Sequence, residues 1–340
     1  MIVDSYMKRM IAVFFLSILA VITAEAFRYL AAKQSSWPLM VVHDTDPGVD
    51  DAMAMLMLLS RRSHAELLAV TCVAGNTGVL NGSQNAWLVL EVANRTDIPI
   101  YSGSGHGMAF QVESDHYFGD DGFGDVYQRP ANPPLLELHA ALALVNIVKA
   151  QPGKISVLCT GPLTNIALAI HLYPKFLEDV KEMVVLGGSY KGGGNTKPGA
   201  EFNFNFDPEA AALVFSKAPQ DKLIKLLPLE TVESNSLSLD WRLNVLGGLN
   251  SGWMHFLKLA ESKSLPKLKQ WSPFDQLAAA VIINPKVATN WTDTKIYVET
   301  CGVHGRGAVF VDYNSEKKNV RIITQVNMEL FKSLILSLLA

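Results

Sequence analysis

The sequence predicts an α/β fold: an open, mostly parallel central sheet with helices on both faces and a Rossmann-like core. Three observations point to it. Apolar strand-like runs alternate with helical stretches along most of the chain, the pattern of a parallel sheet covered on both sides. The first run, Leu39-Met40-Val41-Val42, leads through an acidic turn into Ala52-Met53-Ala54-Met55-Leu56-Met57-Leu58-Leu59, which is strongly helix-forming. Later strand candidates end in Gly, Pro and Asn turns, so their loops would share the sheet edge where such folds bind ligands.

In chain order, strands are expected at residues 39–43, 67–73, 155–159, 183–186, 222–228 and 296–299, each a short apolar run. Helices are expected between them at 50–60, 84–93, 135–150, 165–171, 208–216 and 274–283. Residues 308–311 and 320–323 read as a short hairpin before an amphipathic helix over 328–339. No Pro- or Ser-rich linker and no internal repeat interrupts this order, so residues 27–340 are expected to form one domain, with 240–270 as a helical insertion. At 340 residues, 49% hydrophobic and 18% charged, the chain can bury a large core. A net charge of −3 without a long basic run argues against a nucleic-acid polymer as partner.

Lys8-Arg9, the apolar run from Met10 to Ile22 and Ala24-Glu25-Ala26 read as a signal peptide over residues 1–26. The run is short for a membrane span, so a secreted chain without stable membrane association is expected, an uncleaved anchor being the alternative. Sequons at Asn81, Asn94 and Asn290 suit that route. Cys72, Cys159 and Cys301 each lie in or beside an apolar run, which predicts buried free thiols rather than a disulfide framework.

The turn His43-Asp44-Thr45-Asp46-Pro47-Gly48-Val49-Asp50-Asp51 puts four carboxylates within eight residues. Such a cluster is costly unless a cation or a hydrogen-bonding ligand occupies it. Carboxylate oxygens suit a hard ion, Ca²⁺ or Mg²⁺, better than zinc. Other strand-end motifs should converge on the same edge: Ala74-Gly75-Asn76, Thr160-Gly161-Pro162-Leu163-Thr164-Asn165, Gly187-Gly188, Gly194-Asn195, Ala200-Glu201-Phe202-Asn203 and Phe274-Asp275. A metal ringed by Asn and Glu suits a polyhydroxylated ligand such as a sugar.

The order of these motifs, with Asp207-Pro208-Glu209-Ala210, resembles the inosine–uridine/purine nucleoside hydrolases over residues 39 to 325. The resemblance implies the nucleoside hydrolase fold and hydrolysis of a nucleoside's N-glycosidic bond to free base and ribose. It implies Ca²⁺ held by Asp46, Asp51, Asp275 and the backbone carbonyl of Thr160, with Asp46 also the general base for a calcium-bound water. Asp50 and Asn203 would hold the ribose 2′- and 3′-hydroxyls with Asn76 nearby, and Glu201 and Asn195 the 5′-hydroxyl. A homodimer or homotetramer is suggested by the family alone.

This chain departs from the inosine–uridine pattern at two places. Phe274 stands where many members carry a His before the last calcium-ligand Asp, and Tyr117-Phe118-Gly119 replaces a His-Gly in the base loop. Phe cannot donate a proton, but it can stack on a purine, so Phe118, Tyr190, Trp271 and Phe274 are base-pocket candidates and a purine preference is expected. A broad inosine–uridine nucleosidase is the nearest alternative. Two others are a secreted nucleoside-binding protein without turnover and an aspartate-nucleophile phosphatase read from Asp44-Thr45-Asp46.

Overall fold

The computed structural model describes residues 38–111, 114, 116–128 and 133–340, so the expected signal peptide lies outside the described residues. Its strands are β1 (Leu39–Thr45), β2 (Ala65–Cys72), β3 (Ile100–Ser102), β4 (Ser156–Cys159), β5 (Glu182–Leu186), β6 (Ile224–Leu227), β7 (Leu237–Ser238), β8 (Gln270–Trp271), β9 (Ala288–Val298), β10 (Val309–Asp312) and β11 (Val320–Val326). Nine of them form one sheet in the order β10-β9-β11-β6-β5-β4-β1-β2-β3, and β7 pairs with β8 apart from it. From β3 to β11 the neighbours run parallel, while β9 is antiparallel to both β10 and β11.

Side chains alternate across a strand, and here each face meets its own apolar cluster. Val41, Leu158 and Val184 join one cluster; Val42, Val157 and Val185 join the other. Burial on both faces is why these strands read as unbroken apolar runs. Helices Val49–Leu59, Val79–Val92, Gly252–Ala260, Phe274–Ile283 and Met328–Leu339 contribute to the first cluster, and Ala140–Ala150, Thr164–Leu172 and Pro208–Ser216 to the second. Residues Leu39–Ala340 form one compact unit.

The chain places β2 and β3 on one side of β1 and β4 on the other. The loops leaving β1 and β4 therefore diverge, and a crevice opens between them at the carboxyl ends of the strands. Helix Val49–Leu59 lies against the sheet and also against helices Gly252–Ala260, Phe274–Ile283 and Met328–Leu339. That surrounds Ala52 to Leu58 with apolar neighbours and explains a helix that is apolar all round. Truncating Leu56, fully buried there, should cost about 2–5 kcal/mol.

Several boundaries differ from expectation. Residues 308–311 and 320–323 do not pair with each other: β10 and β11 flank β9 on opposite sides. The long β9 buries Thr294, Ile296 and Val298 on one face and carries Trp291, Asp293, Lys295 and Tyr297 on the other, so its buried apolar residues do not form a continuous run. The third helix starts at Ala140, capped by the His139 ring on the Ala141 amide. The second starts five residues early, at Val79. Cys72 and Cys159 are buried free thiols, but Cys301 is exposed in the turn after β9. No helix among the described residues is long and apolar enough to cross a membrane.

Candidate active site

β1 ends at Thr45, and Pro47-Gly48 turns the chain into helix Val49–Leu59, which carries Asp50 and Asp51 in its first turn. The neighbouring helix Phe274–Ile283 carries Asp275 in its own first turn. One carboxylate oxygen from each of Asp50, Asp51 and Asp275 lies within 4.8 Å of the others. Asp46, Asp51 and Asp275 are buried, and Asp50 is half-buried.

Asp51 is the best-supported acid. Its Oδ1 accepts from the hydroxyls of Thr45 and, at 2.7 Å, Thr160; its Oδ2 accepts from the Gly48 amide and from Asn76 Nδ2, both at 3.0 Å. Behind it, His43 Nε2 meets the Thr160 hydroxyl at 2.9 Å, and burial lowers the His43 pKa to about 3, so the ring is neutral. Asp46 Oδ2 accepts from the Asn76 amide at 2.8 Å. By contrast, Asp46 Oδ1 and Asp275 Oδ2 are buried with no hydrogen-bond partner. Burial first, then the neighbouring acids, pushes the carboxyls of Asp46, Asp50 and Asp275 well above the usual range.

Two orphaned carboxylate oxygens beside acids that cannot all ionise fit a hard divalent cation, which would supply the missing charge and the missing partners. The acids whose oxygens come together are Asp50, Asp51 and Asp275: two of the expected ligands, Asp51 and Asp275, are joined by Asp50, while the expected ligand Asp46 lies outside that group. Two glycines make room for Asp46. A Cβ on Gly75 would stand 2.0 Å from its Oδ2, and one on Gly161 would stand 2.7 Å from its Oδ1.

The cluster opens into a cavity of about 270 Å³. Asp50, Asn76, Thr160, Asn203, Glu201 and Asn195 all reach it. Asn76 spends its side-chain amide on Asp51 and, at 3.2 Å, on the Asp46 carbonyl. Asn203 Nδ2 donates to the Thr160 carbonyl at 2.8 Å. Glu201 caps helix Phe202–Phe206 and accepts from the amides of Gly188, Asn203 and Phe204. Burial raises its pKa and those amides oppose the rise. Asn195 is exposed, with its Oδ1 on the Phe202 amide at 2.9 Å.

Of the aromatic candidates, Phe118, Trp271 and Phe274 line the cavity. Tyr190 does not: it packs partly against the second core cluster, where the Gly187-Gly188 turn carries it. Sequence reasoning missed Tyr117, edge-on to Phe118 at 4.8 Å. It also missed Glu261, Ser264, Leu265 and Leu268, the wall supplied by the 240–270 segment, whose composition carries no signal of a site. Asp44, the nucleophile of the phosphatase reading, is fully buried beneath the turn, with both Thr71 and Asn165 bonded to its Oδ1; Asp50 and Asp275 line the cavity, whereas Asp44, Asp46 and Asp51 lie behind its lining. Among the sequons, Asn94 and Asn290 are exposed, while Asn81 is half-buried in helix Val79–Val92 with its amide on Thr77.

Residues 41–333 match the family of inosine-uridine preferring nucleoside hydrolases. The protein of that name from Leishmania major is 32% identical over 301 residues, covering 86% of this chain and 93% of its own length. The probable uridine nucleosidase 1 of Oryza sativa subsp. japonica is 40% identical over 178 residues, 52% of this chain and 55% of its own length. This chain thus spans about half the length of the plant relatives it matches. Among solved structures, an inosine-guanosine nucleoside hydrolase superimposes with a TM-score of 0.83 at 27% identity, over 88% of this chain and 98% of that one. The chain belongs to the inosine-uridine preferring nucleoside hydrolase family.

Proposed function

We propose that this protein hydrolyses the N-glycosidic bond of ribonucleosides, preferring a purine of the inosine type, with Ca²⁺ in the acidic cluster, and releases free base and ribose. The observation that carries the proposal is the meeting of two unlike surfaces in one cavity: Asp50 and Asp275 of the acidic group, the latter with an unpartnered oxygen, line it together with Phe274 and Trp271. Asp46, Asp51, Asp275 and the Thr160 carbonyl would hold the cation with Asp50 beside them. When bound, it supplies a polarised water close to neutral pH.

In the reaction, Asp46 takes the proton from the water as the water oxygen bonds to the anomeric carbon. The C1′–N bond breaks, its electron pair leaves with the base, and the base takes up a proton from solvent while Asp46 returns its own to water. Positive charge grows on the sugar in an oxocarbenium-like transition state, and the surrounding carboxylates stabilise it. Asp50 and Asn203 hold the ribose hydroxyls, and binding energy from those contacts can be used to distort the ring. The aromatic wall supports the flat base by stacking. The name of the inosine-guanosine structural relative favours the purine reading. The plant relatives named uridine nucleosidases favour the broader one.

The test is ribose release by the purified protein from inosine, guanosine, adenosine, uridine and cytidine, before and after prolonged chelation. Release from purines that is lost with the metal and regained with Ca²⁺ supports the proposal. Comparable release from uridine keeps the chemistry and discards the purine preference. No release from any nucleoside by folded, calcium-loaded protein leaves the binding-protein reading. Secretion through residues 1–26 and assembly as a homo-oligomer belong to the same proposal. N-terminal sequencing of exported protein and light scattering test them.

A further inference from the structure

The segment between helix Leu229–Glu233 and β8 has no part in the reaction described above, yet it builds one wall of the cavity. At its centre is a buried ion pair. Arg242, fully buried in the helical turn Trp241–Leu246, holds Glu261 through two hydrogen bonds, Nε to Oε1 at 3.3 Å and Nη2 to Oε2. The same guanidinium lies 5.6 Å from the centre of the Trp271 ring, and Trp271 stacks on Trp241 at 6.0 Å. One buried cation thus fixes both an aromatic plate and a carboxylate on the same wall. Desolvation offsets much of the attraction in such a pair, so stability alone is a weak reason for it.

Arg242 takes one acceptor direction from each Glu261 oxygen, and a carboxylate has about four. Glu261 is one of the residues lining the cavity. A second acceptor lines the same cavity: Gln276, 1% exposed, directs its amide nitrogen to the Asp50 carbonyl at 3.5 Å, and its Oε1 has no partner. A wall with spare acceptors and an aromatic plate suits a flat ligand with N–H groups along one edge. The 6-oxopurines have N1–H there, and guanine adds the 2-amino group, a donor pair that matches a carboxylate. Adenine presents its N1 as an acceptor on that edge.

Resting on the nucleosidase reading, we infer that Glu261, positioned by Arg242, selects the nucleobase and favours guanosine and inosine over adenosine. The test compares kcat and KM of wild type and Glu261→Gln on guanosine, inosine, adenosine and uridine, with thermal unfolding alongside. Glu261→Gln should lower kcat/KM for guanosine by about 10- to 100-fold, mainly through KM, the size of one or two charge-assisted hydrogen bonds. Inosine should lose less, and the guanosine-to-adenosine ratio should collapse. If that variant does not fold, the Arg242→Met/Glu261→Met double variant, which removes both charges together, should show the same collapse. An unchanged ratio in a folded variant, or an equal loss for all four nucleosides, overturns the inference and leaves the nucleosidase reading standing. A wild-type protein that cleaves no nucleoside overturns both.

Discussion

The side-chain amide of Asn203 donates to the Thr160 carbonyl at 2.8 Å and to the Leu186 carbonyl at 3.3 Å, tying together the chain ends that leave β4 and β5. A residue expected to hold the sugar therefore also orients a carbonyl expected to face the metal. Asn203→Asp would replace the donor with a carboxylate facing two carbonyls. It should cost about 1–3 kcal/mol, the price of buried acceptors left unmatched. A drop in melting temperature together with a fall in kcat/KM is expected; an unchanged melting temperature would contradict the tie.

Asp46→Asn keeps the size of the side chain and removes its basicity. It should lower kcat by about 10²- to 10⁴-fold. Metal-free stability should be unchanged or higher, because a buried acid that burial and its neighbours keep from ionising is replaced by a neutral amide. Steady-state kinetics and calorimetry of the same preparation check both halves, and near-normal kcat would exclude Asp46 as the base.

Metal and pH should act together. Burial raises Asp44 to about 7 and raises Asp46, Asp50 and Asp275 well above the usual range. Without a cation the folded state retains protons that the unfolded chain releases above about pH 4. Stability of chelated protein should therefore fall as pH rises from 5 to 8. A bound divalent cation favours the ionised acids, so the melting-temperature gap between calcium-loaded and chelated protein should widen over that range. A gap that narrows with rising pH would contradict the cation site.

Phe274 is half-buried on the cavity lining, directly before Asp275. Phe274→Ala should lower kcat/KM for inosine by about 2- to 10-fold, the size of an aromatic contact of roughly 0.5–1.5 kcal/mol, and should spare uridine by comparison. Unchanged inosine kinetics would remove Phe274 from the base pocket.

Gly75→Ala places a methyl carbon 2.0 Å from Asp46 Oδ2, far inside van der Waals contact. Asp46 must leave its position, so activity and metal affinity should fall together. Isothermal titration of the variant with Ca²⁺ reads the second directly. Wild-type affinity would show that Asp46 is not held where the structure puts it.

The sequence alone determined the parallel α/β architecture, because strands buried on both faces must be apolar along their length and their crossover helices must alternate with them. It also located the acids of the β1 turn, since Asp44 to Asp51 are neighbours along the chain and their crowding is visible in any conformation. Tertiary structure decided the rest. Asp275 joins Asp50 and Asp51 because two helices pack side by side. Tyr190 leaves the cavity while Trp271 enters it. β10 and β11 pair with β9 instead of with each other. The Arg242–Glu261 pair was invisible in sequence because its partners are 19 residues apart in a segment with no motif. Chain neighbours reveal charge density, but only packing decides which distant side chains share a cavity.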